Sequence, residues 1–315
     1  MTELEWKQVA CDWCGSNDNE LIFEGPDRLM GLPGQFRLVR CRKCGLLRQD
    51  PHLEWESLKS YYPPEYSPHV PLVREERSAL RRLDRRYGMW KQTRIIEQFR
   101  RHGRLLDIGC GTGVFLEEMQ RSGRWELEGI EPAEDAAGYA RKELGVPIYE
   151  GRFSDMDLTP ASYDVITMWN VLEHLENPIS DLRRANDLLS AGGLLVFAIP
   201  SMESLAAHIF GQYWVGWDLP RHLYLFPLPV LRTILAKIGF RIVAVRCISG
   251  SYSTLRDSLE FWTGSWKPSY RKVARRMLNF YRSFFVRIGL GAPLWFLDRL
   301  KKSSVITVVA RKIPA

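Results

Sequence analysis

The stretch Arg104-Leu-Leu-Asp-Ile-Gly-Cys-Gly-Thr-Gly113, followed by Glu131 at the end of the next apolar run, constrains this chain more than any other feature. A short apolar strand ends at Asp107, and a turn of Gly109, Gly111 and Gly113 leads into an amphipathic helix beginning near Val114. Glycines suit such a turn because they accept positive φ and leave bare backbone for a ligand to approach. A carboxylate about 20 residues on suits a ribose, whose vicinal hydroxyls it can accept hydrogen bonds from. The pair predicts a nucleoside-binding βαβ unit.

The alternation continues along the chain. Strand patterns fall at 104–108, 126–131, 147–149, 163–168, 193–199 and 240–247, helical patterns at 114–122, 133–144, 178–189 and 228–237, and Val305–Ala310 reads as a final strand. This order predicts an α/β fold with a mainly parallel sheet covered on both faces, its ligand beyond the carboxyl ends of the strands. Upstream, Arg74 to about Arg101 is patterned as a helix with Leu80, Leu83, Tyr87, Trp90, Ile95 and Phe99 inward. Residues 51–73, with Tyr61-Tyr62-Pro63-Pro64, Pro68 and Pro71, read as an extended connector. The expected organisation is a module at 1–50, the connector, a core at 74–248, an insertion at 249–302 and a last core strand at 303–315.

Four of the six cysteines lie in the module, as Cys11-Asp-Trp-Cys14-Gly and Cys41-Arg-Lys-Cys44-Gly. Each Cys-x-x-Cys-Gly can form a knuckle that turns two thiolates toward one ion, and two knuckles complete a closed tetrahedral shell of the kind that holds structural zinc. Glu20–Gly25 and Gln35–Arg40 would supply the strands of a zinc ribbon. Two disulfides or a redox pair are the alternatives; disulfides fit poorly with the cytoplasm, and a redox motif needs no matching second pair. Four thiolates fill the shell, so the metal is expected to be structural.

The net charge of +7 is unevenly spread. Residues 70–104 and 249–302 each hold 11 Lys and Arg, against 4 and 3 Asp and Glu, so the remainder is acidic. Local contact with an anionic surface or ligand is one reading, and solvated helix faces are the other. In the insertion, Val273, Met277, Tyr281, Phe284 and Ile288 repeat at helical spacing, with Lys272, Arg275, Arg276, Asn279 and Arg282 on the other side. That helix reads as a lid or as a membrane-surface contact through 271–302. No apolar run reaches the roughly 18 residues of a spanning helix, and the N-terminus lacks signal-peptide patterning. The expected location is the cytoplasm, with the inner face of the membrane as the peripheral alternative.

Beyond the glycine turn come Gly-Ile-Glu131-Pro132, then Tyr163-Asp-Val-Ile-Thr-Met-Trp-Asn170-Val-Leu-Glu173-His174-Leu, then Gly192-Gly193-Leu-Leu. In this order the motifs resemble class I S-adenosylmethionine-dependent methyltransferases over roughly 100–250; the dehydrogenase fingerprint would want Gly-x-Gly-x-x-Gly. The chain also resembles a bacterial subgroup with an N-terminal four-cysteine module, a Glu-His after the fourth strand and an Asp-x-Pro-Arg-His-Leu segment, here Trp217-Asp218-Leu-Pro-Arg221-His222-Leu-Tyr224-Leu-Phe226. The resemblance implies a Rossmann-like seven-stranded sheet and S-adenosylmethionine as methyl donor. It implies that Asp107, Gly109, Cys110, Gly111 and Gly113 border the methionine moiety, that Glu131 binds the ribose, and that Pro132, Arg152 and Phe153 border the adenine. Asn170 would close the site beside the methyl group.

Alcohol methylation also needs a base, and an imidazole suits that task. His174 at the site mouth and His222 compete for it, with Asp218 to orient His222 or to salt-bridge Arg221, and Tyr224 beside it; a helix-capping or loop-holding role for His174 is the plain alternative. Arg221 could clamp an anion bidentately, with Trp217 as a second substrate contact. The expected acceptor is a small molecule, a sugar or glycan precursor, methylated on oxygen. Sugar C-methylation is the alternative, although that group usually shows Tyr-x-Glu-His where this chain has Pro-Arg-His. Nucleic-acid methylation is disfavoured because Asn170 is followed by Val-Leu rather than Pro-Pro-aromatic, and a non-enzymatic donor-binding role ranks last.

Overall fold

The βα alternation folds into one seven-stranded sheet. In a computed structural model, residues 4–63, 66, 70–248, 251–281, 286, 289, 291–300 and 302–314 are described; Pro64, Pro68, Arg282, Phe284 and Ile288 lie outside them. The strands are β6 (Gly103–Ile108), β7 (Trp125–Glu131), β8 (Ile148–Glu150), β9 (Tyr163–Trp169), β10 (Leu189–Pro200), β12 (Phe240–Arg246) and β13 (Val305–Lys312), in the spatial order β12-β13-β10-β9-β6-β7-β8. Pairings β6–β7, β7–β8, β6–β9 and β9–β10 are all parallel. Such strands are covered on both faces, which explains their continuous apolar runs: Leu105, Leu106, Val165, Ile166, Leu195, Val196 and Phe197 are fully buried or nearly so. The chain steps outward from β6 to β8, then returns to place β9 on the other side of β6. That reversal makes the carboxyl ends of β6 and β9 the crevice where such sheets bind ligands.

Two compact units divide the chain: Met1–Tyr61 with Ile199–Leu231 and Arg246–Ile306, and Tyr62–Ala198 with Arg232–Val245 and Thr307–Ala315. The second carries most of the sheet and helices α2 (Ala79–Glu97), α3 (Val114–Gln120), α4 (Glu134–Leu144) and α5 (Pro178–Leu188), while α7 (Leu228–Ile238) begins in the first unit and continues into it. Helix α4 buries Ala136, Ala137 and Ala140, side chains small enough for a helix to sit close against a sheet.

Helix α2 departs from the expectation. Ile95 and Ile96 are buried, but Leu80, Leu83, Tyr87 and Trp90 are 77%, 66%, 56% and 48% exposed. The periodicity named a real apolar stripe and assigned it the wrong side. Only the C-terminal part of α2 packs inward, and it does so through Gln92, Thr93, Ile95 and Ile96.

In the first unit, β1 (Trp6–Lys7) pairs antiparallel with β5 (His52–Leu53), followed by α1 (Trp55–Lys59). The ribbon strands are β2 (Asn19–Gly25) and β3 (Phe36–Cys41), extended by β4 (Leu47–Gln49) and by β11 (Tyr224–Leu225) into the order β11-β4-β3-β2. The Asp-x-Pro-Arg-His segment thus ends as an edge strand of the cysteine ribbon, with Tyr224 opposite Arg48. This unit also holds α6 (Leu205–Phe210), α8 (Ser251–Gly264), α9 (Arg271–Tyr281) and a helix at Gly291–Arg299. Among the described residues, no helix is long and apolar enough to cross a membrane.

Candidate active site

The glycine turn does what its composition requires. Gly109 and Gly113 have φ of 68° and 81°, and a Cβ there would lie 2.5 Å from Val171 and 2.4 Å from Leu144. Neither position tolerates a side chain, so the backbone stays bare. The Gly109 and Cys110 amides donate to the Ile130 carbonyl at 2.8 and 3.0 Å, tying the turn to the end of β7. Glu131 completes the tie: its Oε2 accepts from the Gly111 amide at 2.8 Å and its Oε1 from the Ala133 amide at 2.9 Å. A buried carboxylate held by two backbone amides at a strand end is an acceptor set that fits a ribose.

Asp107, the last-but-one residue of β6, is buried and accepts from the Thr167 hydroxyl at 2.6 Å. Burial, with the Glu131 charge adding to it, pushes its carboxyl up to about 8, against the pull of the Thr167 bond. At neutral pH Asp107 is therefore largely protonated, and a cation placed beside it would draw the proton off. Cys110 is buried and its thiol is pushed up by that burial, so it remains a neutral lining group.

The other expected cofactor residues follow β7, β8 and β9 at the same edge of the sheet. Pro132 and Asn170 are exposed; Asn170 has φ of 56° and its amide donates to the Ala198 carbonyl at 3.1 Å. Arg152 pairs with Asp155 and Glu176, each at 3.0 Å, and so joins the loop after β8 to the loop after β9. Phe153 is buried with the Arg184 guanidinium 5.2 Å from its ring centroid, which makes its ring a packing group rather than an open wall. His174 ends a short turn after β9, half-buried, its Nδ1 3.1 Å from the Tyr62 hydroxyl. Tyr62 was missed from the sequence, where it is one of three tyrosines in a proline-rich connector with no signal to separate them.

The first unit supplies the remaining candidates, and two change role. Arg221 is fully buried. Its Nη atoms pair with both Asp27 oxygens at 3.0 and 2.6 Å and with Asp218 Oδ1 at 2.6 Å, Nε also meets Asp218 Oδ1 at 3.0 Å, and Nη1 donates to the Tyr61 carbonyl. A guanidinium has five N–H groups, and these bonds use them, so Arg221 is an internal strut and not the anion clamp expected. Tyr224 is 2% exposed, paired within its strand and edge-on to His52 at 5.4 Å, so it packs the ribbon instead of facing a substrate.

His222 keeps the features of a base. Its Nδ1 lies 2.9 Å from the Gly216 carbonyl, which can only accept, so Nδ1 carries the proton and Nε2 the lone pair. Asp218 Oδ2 is 3.9 Å from Nε2. Burial holds the imidazole below its ordinary range, and therefore neutral at pH 7. Trp217 is half-buried, donates to the Gly211 carbonyl at 2.7 Å and packs edge-on against Phe23 and Trp214. Phe23, Arg28, Leu29, Trp217, Asp218 and Phe261 line an open surface cleft.

The cysteine knuckles face one another. Cys11 and Cys44 sulfurs are 3.4 Å apart, Cys14 and Cys41 sulfurs 3.5 Å, and all four lie within 4.8 Å of one another. None is in a disulfide. The Gly15 and Gly45 amides fold back to the Cys11 and Cys41 carbonyls at 2.7 and 2.9 Å, giving two matching turns. Zinc–thiolate bonds of about 2.3 Å in a tetrahedron require sulfurs about 3.8 Å apart, so this cluster fits such an ion.

Residues 79–245 match the family model described as a methyltransferase domain. Among curated proteins, the chain is 34% identical over 167 residues to the ubiquinone biosynthesis O-methyltransferase of Maricaulis maris, covering 49% of this chain and 64% of that one. It is 36% identical over 105 residues to the protein of the same name from an Azoarcus species, covering 30% and 43%. The chain thus spans between about two fifths and two thirds of the curated relatives it matches. Among solved structures, one titled as a sarcosine dimethylglycine methyltransferase from Galdieria sulphuraria aligns over 76% of this chain and 90% of its own, with 12% identity and a TM-score of 0.49.

Proposed function

Because this chain belongs to the methyltransferase-domain family, we propose that it transfers the methyl group of S-adenosylmethionine to an oxygen of a small-molecule acceptor, a sugar or glycan precursor. The observation that carries the donor is Glu131, buried and bridging the Gly111 and Ala133 amides beside a turn whose Gly109 and Gly113 admit no side chain. When bound, the donor supplies an electrophilic methyl group on a positively charged sulfur. Glu131 accepts from the ribose hydroxyls, the glycine turn gives backbone contact to the methionine moiety, and Asp107 offers a buried carboxyl to its cationic end. Much of the rate then comes from alignment. His222, neutral and with its Nε2 lone pair fixed by Gly216, is the first candidate to take the acceptor hydroxyl proton, and His174 is the second.

The names of the curated relatives favour oxygen over carbon as the methylated atom. They also carry a second reading, in which the acceptor is a phenolic hydroxyl of a quinone precursor. Zinc is proposed at Cys11, Cys14, Cys41 and Cys44 as the brace of the ribbon. Helix α9, with Lys272, Arg275 and Arg276 exposed beside Val273, Met277 and Phe280, supports peripheral contact of its unit with an anionic surface.

The test is product structure. Purified protein with methyl-labelled donor is given sugar nucleotides, lipid-linked sugars and polyprenylated phenols, and NMR locates the label. An O-methyl sugar supports the leading reading and an O-methyl phenol the second; a C-methyl product or methylated RNA overturns both. His222→Gln and His174→Gln identify the base, whose loss lowers kcat while donor affinity holds.

A further inference from the structure

Helix α2 carries the stripe Leu80, Leu83, Tyr87 and Trp90 in the open. These positions are spaced i, i+3, i+7 and i+10, so they form one continuous ridge along the helix. Scattered exposed apolar residues are ordinary, whereas a contiguous exposed ridge marks an interaction surface. The Tyr87 and Trp90 rings stack at 5.7 Å, and Lys91 Nζ sits 5.1 Å from the Tyr87 centroid. Arg94, exposed, continues the ridge one turn on, and exposed Arg82 lies on its flank. Between Arg77 and Arg94 there are seven Arg and Lys and one acidic residue, Asp84.

Charge selects the occupant. A second copy docking the same ridge would bring two strongly cationic faces together, which like-charge repulsion opposes. A bilayer containing anionic lipid offers the complement: apolar depth for leucines, a headgroup zone where Tyr and Trp settle, and phosphates for basic side chains whose stems lie along the apolar boundary.

We infer that helix α2 is a membrane-surface helix, laying Leu80, Leu83, Tyr87 and Trp90 into the headgroup boundary of an anionic phospholipid bilayer. The ridge belongs to the unit that carries the sheet and is separate from α9. The inference does not depend on which acceptor is methylated or on the identity of the base.

The test is flotation of the full chain with vesicles of phosphatidylcholine alone and of phosphatidylcholine with 30% phosphatidylglycerol. Wild type is expected to float with the anionic vesicles at low salt, and to be released at high salt. Leu83→Glu/Trp90→Glu is expected to weaken that binding at least tenfold, and Arg82→Glu/Arg94→Glu to weaken it with the ridge intact. Calorimetric titration with S-adenosylmethionine, unchanged in Leu83→Glu/Trp90→Glu, reports that the sheet is folded. Flotation undiminished in the ridge variant, or lost only in Arg275→Glu/Arg276→Glu on α9, overturns the inference. So does an absence of vesicle binding, including one accompanied by ridge-dependent dimers in sedimentation.

Discussion

Glu131 and Asp107 divide the proposed donor site between a carboxylate tied to two backbone amides and a carboxyl pushed up by its burial. Glu131 already holds two backbone amides, so its loss removes the ribose acceptor and also leaves those amides unpaired. Hydrogen bonds to charged groups contribute about 1.5–3 kcal/mol. Glu131→Ala is accordingly expected to weaken donor binding by about 10- to 100-fold in calorimetry. Asp107 is held protonated up to about 8 in the free protein, so binding a cation near pH 7 should release protons. Titrations in buffers of different ionisation enthalpy should show this release, with affinity rising as pH rises toward 8. The stability consequence has the opposite sign. Because the folded-state value is raised, the contribution of Asp107 is full in acid, below the ordinary carboxylate range, and is lost as pH rises through about 8. Asp107→Asn should therefore raise the melting temperature more at pH 9 than at pH 4, while donor binding weakens. These two residues were legible in the sequence because strand end, glycine turn and downstream acid are local features. The raised Asp107 carboxyl was not, since it depends on burial and on the neighbouring Thr167 and Glu131.

At the scale of elements, the sheet was legible almost strand by strand. Its apolar runs are buried on both faces and bounded by glycines, so little else competes with that reading. The Asp-x-Pro-Arg-His segment was legible as a string but not in its chemistry. A bidentate arginine looks the same in sequence whether its carboxylates belong to a substrate or to Asp27, which is far away along the chain. Here the partners are internal. Removing one member of a buried ion network leaves uncompensated charge and costs about 3–5 kcal/mol. Arg221→Met should lower unfolding free energy in urea by about that amount. Arg221→Lys should recover little of it, because one ammonium cannot reproduce the fork that meets Asp27 and Asp218 together. Helix α2 shows the complementary failure. Its period was read correctly, but period alone does not say which stripe meets the core, and Ile95, Ile96, Gln92 and Thr93 define that side instead.

Across the whole chain, the cysteine ribbon takes its fourth strand from residues 224–225, long after the cysteines in sequence. Nothing local announces this pairing, which is why the sequence offers Arg221 and Tyr224 as site residues. The zinc proposal gives a composition test: elemental analysis of the purified chain should find one zinc per chain, and none in Cys11→Ser/Cys44→Ser. Donor-dependent methylation through Glu131 is measured by incubating purified protein with tritiated-methyl S-adenosylmethionine and a small-molecule extract from cells lacking the gene. Label is expected in an organic-soluble or sugar-containing small product, with at least a tenfold lower rate for Glu131→Ala at a donor concentration below saturation. No transfer by donor-bound wild type to any fraction, or equal transfer by Glu131→Ala, would contradict it.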